Sequence, residues 1–131
     1  GVAGHELRTP QTVEQAGIKP DFYMKTLHSA KYWSARRPDQ QLDVVENPAD
    51  NYWDLQPERT VAFMSEVAKP WIAFKVLAAG AIRPESGFKY ALENGADFLC
   101  VGMFDFQVEP NANLVRKLVA ETQNRSREWM G

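Results

Sequence analysis

The sequence predicts an α/β chain of four consecutive βα units with parallel strands, half of a TIM-type (β/α)8 barrel. Three observations predict it. Short β-favouring apolar runs alternate with helical patterns from one end to the other, which implies a parallel sheet with right-handed connections. The runs Trp71 to Gly80 and Ala96 to Gly102 are nearly continuously apolar, as in parallel strands buried on both faces. No Gly-rich turn follows the first strand, so the doubly wound dinucleotide-binding alternative lacks its usual mark. The 131 residues are read as one domain, 1–131, against the roughly 250 of a complete barrel.

Gly1 to Gly4 reads as the last part of a buried strand, followed by His5 and Glu6 at its C-terminal end. The opening Gly-Val-Ala-Gly starts as though inside a strand, so the natural chain is expected to extend upstream. Thr9 suits an N-cap, Pro10 a first helical position and Gly17 the left-handed residue that ends a short helix. Asp21 to His28 is aromatic and β-favouring, a second strand closed by His28. Residues 29–55 form a long loop rich in Pro, Asp, Asn, Gln and Arg with interspersed Tyr and Trp; such length without structure marks either a lid or an aromatic-anchored surface insertion. Pro57 starts a helix with Val61, Phe63, Met64, Val67 and Ala68 on one face, ended by Pro70. The third strand follows from Trp71, and Pro84 opens a helix with Phe88, Ala91 and Leu92 inward, capped by Asn94-Gly95. The fourth strand holds Cys100, expected in the core, and the last helix carries Leu114, Val115, Leu118 and Val119 before a polar tail, Gln123 to Gly131.

A net charge of -2 gives no basic surface for nucleic acid. No run approaches the roughly 20 apolar residues of a membrane span, so a soluble chain is expected. A single cysteine allows no internal disulfide, which makes a cytoplasmic location the default.

In a barrel the chemistry gathers where strands end, which selects His5, Glu6, Lys25, His28, Lys75, the Gly80 region, Gly102 and Asp105. Alternation puts Lys75 on one face with Trp71 and Ala73, and a lysine turned to the helices would be desolvated without a partner. Lys75 is therefore expected inside the barrel, as a nucleophile or base with a depressed pKa or as half of an ion pair. Lys25 and His28 differ by an odd number of positions, so a regular strand aims only one of them at the lumen. Which one remains open at this stage.

The stretch Asp21-Phe22-Tyr23-Met24-Lys25-Thr26 resembles the sixth-strand motif of the deoxyribose-phosphate aldolases, where a Schiff-base lysine is followed by threonine. Lys75 through Gly80-Ala81-Ile82-Arg83 is similar to their seventh strand, in which a second lysine leads into a Gly-Gly-Ile-Arg phosphate turn, and Gly95-Ala96-Asp97 with Gly102 is similar to their eighth. The resemblance runs from about Asp21 to Gly102. It implies a lyase acting on a small, phosphorylated carbonyl or sugar substrate with no cofactor. Lys25 would form the Schiff base and Lys75 would lower its pKa. His28, His5 and Glu6 stand as further catalytic candidates, and Gly80, Ala81 and Gly102 would be backbone donors to phosphate. Ala81 replaces a family glycine, and Lys75 lies two residues farther from the turn, a shift of roughly 6.6 Å along a strand.

Two other readings compete. Metal-dependent hydrolases of the amidohydrolase type are similar in carrying strand-end histidines and an aspartate, positions matched by His5, His28 and Asp105, which would hold a divalent metal such as zinc. Alternatively the four units are an inactive half-barrel. Their unpaired strand edges then call for a second copy, giving a homodimer, or for a missing N-terminal half.

Overall fold

A computed structural model describes residues 1–35 and 53–131. Most of the long connection expected at 29–55 therefore lies outside the described residues. The elements are β1 (Val2–Gly4), α1 (Arg8–Gln15), β2 (Tyr23–Thr26), α2 (Pro57–Glu66), β3 (Trp71–Phe74), α3 (Pro84–Glu93), β4 (Phe98–Cys100) and α4 (Val108–Glu121), with 3-10 turns at Ala78–Gly80 and Asp105–Gln107. The four strands form one parallel sheet in the order β1-β2-β3-β4. The chain is thus α/β, with one helix after each strand.

Local chemistry sets several boundaries as the sequence suggests. Pro57 and Pro84 open α2 and α3, where a missing N–H costs no helical bond. Gly17 and Gly95 follow α1 and α3 at φ 67° and 98°, the left-handed region that favours glycine. One boundary differs. Helix α1 begins at Arg8 with no side-chain cap, and Thr9 lies inside it. Its side chain packs on Gly4 instead, where a Cβ would come within 2.8 Å of the threonine hydroxyl.

Register fixes the faces. Tyr23 pairs with Trp71 and Lys25 with Ala73, so these four point to one side of the sheet. Tyr23, Trp71 and Ala73 are buried in a common core with Met64 of α2, Phe88 and Leu92 of α3 and Leu118 of α4. Each large apolar side chain so buried stabilises the fold by about 1.5–3 kcal/mol. The opposite face carries Met24, Ile72 and Phe74, half-buried, and Phe98 and Cys100, exposed. The expectation that the third and fourth strands are buried on both faces is therefore corrected. Helices cover only one side of this sheet, and the cysteine expected in the core stands on the other.

The polar tail also departs from expectation. Arg125 and Arg127 donate to Asp97 Oδ1 and Oδ2 at 3.1 and 3.0 Å. Arg127 further donates to the carbonyls of Met64, Val67 and Lys69, and Arg125 to those of Leu92, Gly95 and Ala96. The backbone N–H groups of Trp71 and Met130 complete the buried carboxylate. Two guanidinium forks thus satisfy carbonyls at the ends of α2 and α3 that their own helices leave open.

Candidate functional site

The candidate residues meet at the C-terminal ends of the strands. Lys25 is 1% exposed and shares its side of the sheet with Ala73, so it faces the helix layer. Its Nζ donates to the Thr26 carbonyl at 2.8 Å and lies 3.6 Å from Asp54 Oδ2. Burial holds the Lys25 amine below its ordinary pKa, and the Asp54 charge opposes the shift. Burial likewise raises the Asp54 carboxyl against the pull of Lys25. Asp54 Oδ1 accepts from the Thr60 hydroxyl and the Gln56 N–H, whereas Oδ2 has no hydrogen bond. The pair fastens the start of α2 to β2.

His28, 1% exposed, closes the same network. Its Nε2 lies 2.9 and 3.0 Å from the backbone nitrogens of Trp53 and Asp54, which donate to it. Nδ1 lies 3.0 Å from the Ser29 carbonyl oxygen. An imidazole nitrogen that accepts two N–H bonds is unprotonated, so His28 is neutral and donates through Nδ1. Burial keeps its pKa low, helped by the Lys25 charge.

His5, just beyond β1, is half-buried on the other side of the sheet. Its Nδ1 lies 2.7 Å from Thr26 Oγ1, and its ring packs on Trp53 and Phe74 at centroid distances of 4.8 and 4.9 Å. Burial first, then the charges of Lys75 and Lys25, push the His5 imidazole below its usual pKa. Glu6 is exposed.

Lys75 is not inside a strand. Strand β3 ends at Phe74, and Lys75 turns into the left-handed region at φ 58°, exposed, with Nζ 4.2 Å from the centroid of the Trp53 ring. The expectation of an inward, strand-borne lysine is corrected on two counts. The residues it was thought to accompany, Trp71 and Ala73, face the helices, and the left-handed turn breaks the alternation before Lys75 is reached. Ala78 and Ala79 also have positive φ, at 45° and 54°. Three non-glycine residues of this kind within five positions cost on the order of 1–3 kcal/mol each, and such strain gathers at functional sites.

Beyond this turn lies a cavity of about 750 Å³, whose walls include Phe74, Lys75, Gly80, Arg83, Cys100 and Gly102. Gly80 and Gly102 thus share a cavity with Lys75, as the phosphate reading requires, but Ala81 does not line it. The N–H groups of Gly80 and Ala81 are already spent on the carbonyls of Leu77 and Ala78, at 2.9 and 3.1 Å. The polar side chains that line the cavity near the turn are therefore Lys75 and Arg83. Arg83 and Cys100 were not singled out from the sequence. Only the register, which puts Cys100 beside Phe74, brings that thiol to the cavity.

The metal set is not assembled. His28 spends both ring nitrogens on backbone, and Asp105 is exposed and accepts from the Phe106 N–H at 2.8 Å. Among the described residues no group of three His, Cys, Asp or Glu side chains is placed to hold a metal ion. No helix among them is long and apolar enough to cross a membrane. Comparison with family models, with curated proteins and with solved structures found no match.

Proposed function

We propose that the chain is half of a (β/α)8-barrel enzyme and takes a small phosphorylated carbonyl compound into the cavity at the ends of β3 and β4. Sequential parallel order and helices on one face of the sheet support the barrel reading, since a doubly wound sheet is covered on both. One observation carries the substrate: Lys75, Arg83, Gly80 and Gly102 line a single cavity of about 750 Å³ beside a strained turn. Arg83 binds the phosphate oxygens, with Gly102 leaving room for the anion's approach. Lys75 is the amine that reaches the carbonyl. It attacks the carbonyl carbon, a C=N bond forms and water leaves, the first step of a Schiff-base lyase. Lys25 is ill placed for that role, being buried on the helix side and committed to Asp54.

Reductive trapping tests this reading. Incubation with glycolaldehyde phosphate and cyanoborohydride is expected to leave a secondary amine on Lys75, mapped by mass spectrometry, absent in Lys75→Arg and suppressed by inorganic phosphate. Folded protein that gives no adduct on Lys75, or gives one on Lys25 instead, overturns the assignment.

A further inference from the structure

We propose that His28 is a positioning residue for this cavity: its Nε2 seats the backbone of Trp53 and Asp54, and through the Trp53 ring it places the Lys75 ammonium. The inference rests on the substrate reading above only in its last link, from Lys75 to the ligand. Trp53 is held by its backbone and used by its ring. The N–H donates to His28 Nε2 at 2.9 Å, while the ring packs on His5 and carries Lys75 Nζ at 4.2 Å from its centroid. Its indole Nε1 is buried without a hydrogen bond, so the ring owes its seat to the backbone anchor and to stacking.

The anchor depends on protonation. An imidazolium has no lone pair, so protonated His28 would turn two accepted hydrogen bonds into two N–H groups facing a cation. Neutral His28 instead ties three segments together: the end of β2, Ser29 beyond it, and the Trp53–Asp54 stretch that leads into α2. The groups that face it are Lys25 from β2, Asp54 from the stretch before α2, and Tyr32, whose ring meets the imidazole edge-on at 5.6 Å. Lys25 and Asp54 act on it in opposite senses, and burial decides the direction. The release therefore falls below the ordinary imidazole pKa of about 6.5.

His5 and His28 are the only two histidines, so the ring nitrogens can be followed by NMR of the whole chain labelled with ¹⁵N-histidine. The expected result is an Nδ1–H tautomer for His28 at about pH 7.5 and a titration below about pH 6.5. Trp53 emission, isolated by subtracting that of Trp53→Phe, should change with the same midpoint, and the seated population should fall about tenfold per pH unit below it. His28→Gln, which keeps an oxygen acceptor and does not titrate, should leave the Trp53 signal flat. An Nε2–H tautomer in the wild-type chain, or Trp53 emission that ignores the His28 titration, overturns the proposal whether or not the variant folds. The ratio of Lys75 trapping in wild type to that in His28→Gln should fall with the same midpoint; a ratio independent of pH overturns the link to the site. A concerted His28–Trp53 transition in a protein whose Lys75 takes no label at any pH supports the seating and overturns the substrate reading instead.

Discussion

Asp54 shows how much one buried side chain decides. It faces Lys25 across 3.6 Å, accepts from Thr60 and Gln56, and offers its backbone N–H to His28. The side chains of Lys25 and Asp54 are 2% and 4% exposed, so removing one charge leaves the other unpaired in a poorly solvated place. Asp54→Ala is expected to destabilise the fold by about 3–5 kcal/mol in urea denaturation, whereas replacing both residues by apolar ones of similar size should cost much less. A double variant as unstable as the single one would show that the cost lies in packing. His28 adds a pH dependence. Its pKa is lower folded than unfolded, so its contribution is fully present above about 6.5 and is lost as pH falls through the folded value. The urea midpoint should therefore drop between about pH 7.5 and 5 more steeply in the wild-type chain than in His28→Gln.

At the scale of elements, the tail after α4 does what no helix or strand does. Arg127 reaches three carbonyls near the end of α2, Arg125 reaches three after α3, and both converge on Asp97 just before β4. Arg125 also lies 3.3 Å over the Trp129 ring, which holds the tail in place. Arg127→Ala should destabilise the chain by about 3–5 kcal/mol. Arg127→Lys should recover little of this, since an ammonium lacks the planar fork that spans several acceptors. The check is urea denaturation of both variants, and full recovery by lysine would reduce the contact to simple charge pairing. A polar stretch of this kind carries no periodic signal. Only the partners it meets distinguish it from a frayed end.

At the scale of the molecule, the sheet presents an outer edge on β1 and another on β4, and one face left uncovered by helices. On that face Phe98 is 47% exposed, and beside it Phe104 and Phe106 stack at 5.6 Å while 69% and 74% exposed. Unpaired edges and exposed aromatic surface favour association. The half-barrel reading expects the isolated chain to self-associate by joining β4 of one copy to β1 of another. Light scattering at micromolar concentration should report a dimer, and Phe98→Glu should weaken it. A monodisperse monomer would remove that expectation.

The sequence by itself determined the four βα units, the proline-opened helices and the glycine stops, because these follow from local backbone chemistry and from periodicity within a few turns. It also brought out most of the residues that gather at the strand ends, since polar groups closing apolar runs stand out in any parallel sheet. It did not determine which way they point. The assignment of Lys75 to the lumen assumed that Trp71 and Ala73 faced inward, and register with β2 places them under the helices instead. The left-handed turn from Lys75 to Gly80, with two alanines where glycine would be easier, has no compositional mark. The joining of His28 to Trp53 and Asp54 spans 25 and 26 residues, and that of Arg127 to Asp97 spans 30. Contacts of such separation are chosen by the packing of the whole sheet and its helices, and so only the tertiary structure decided them.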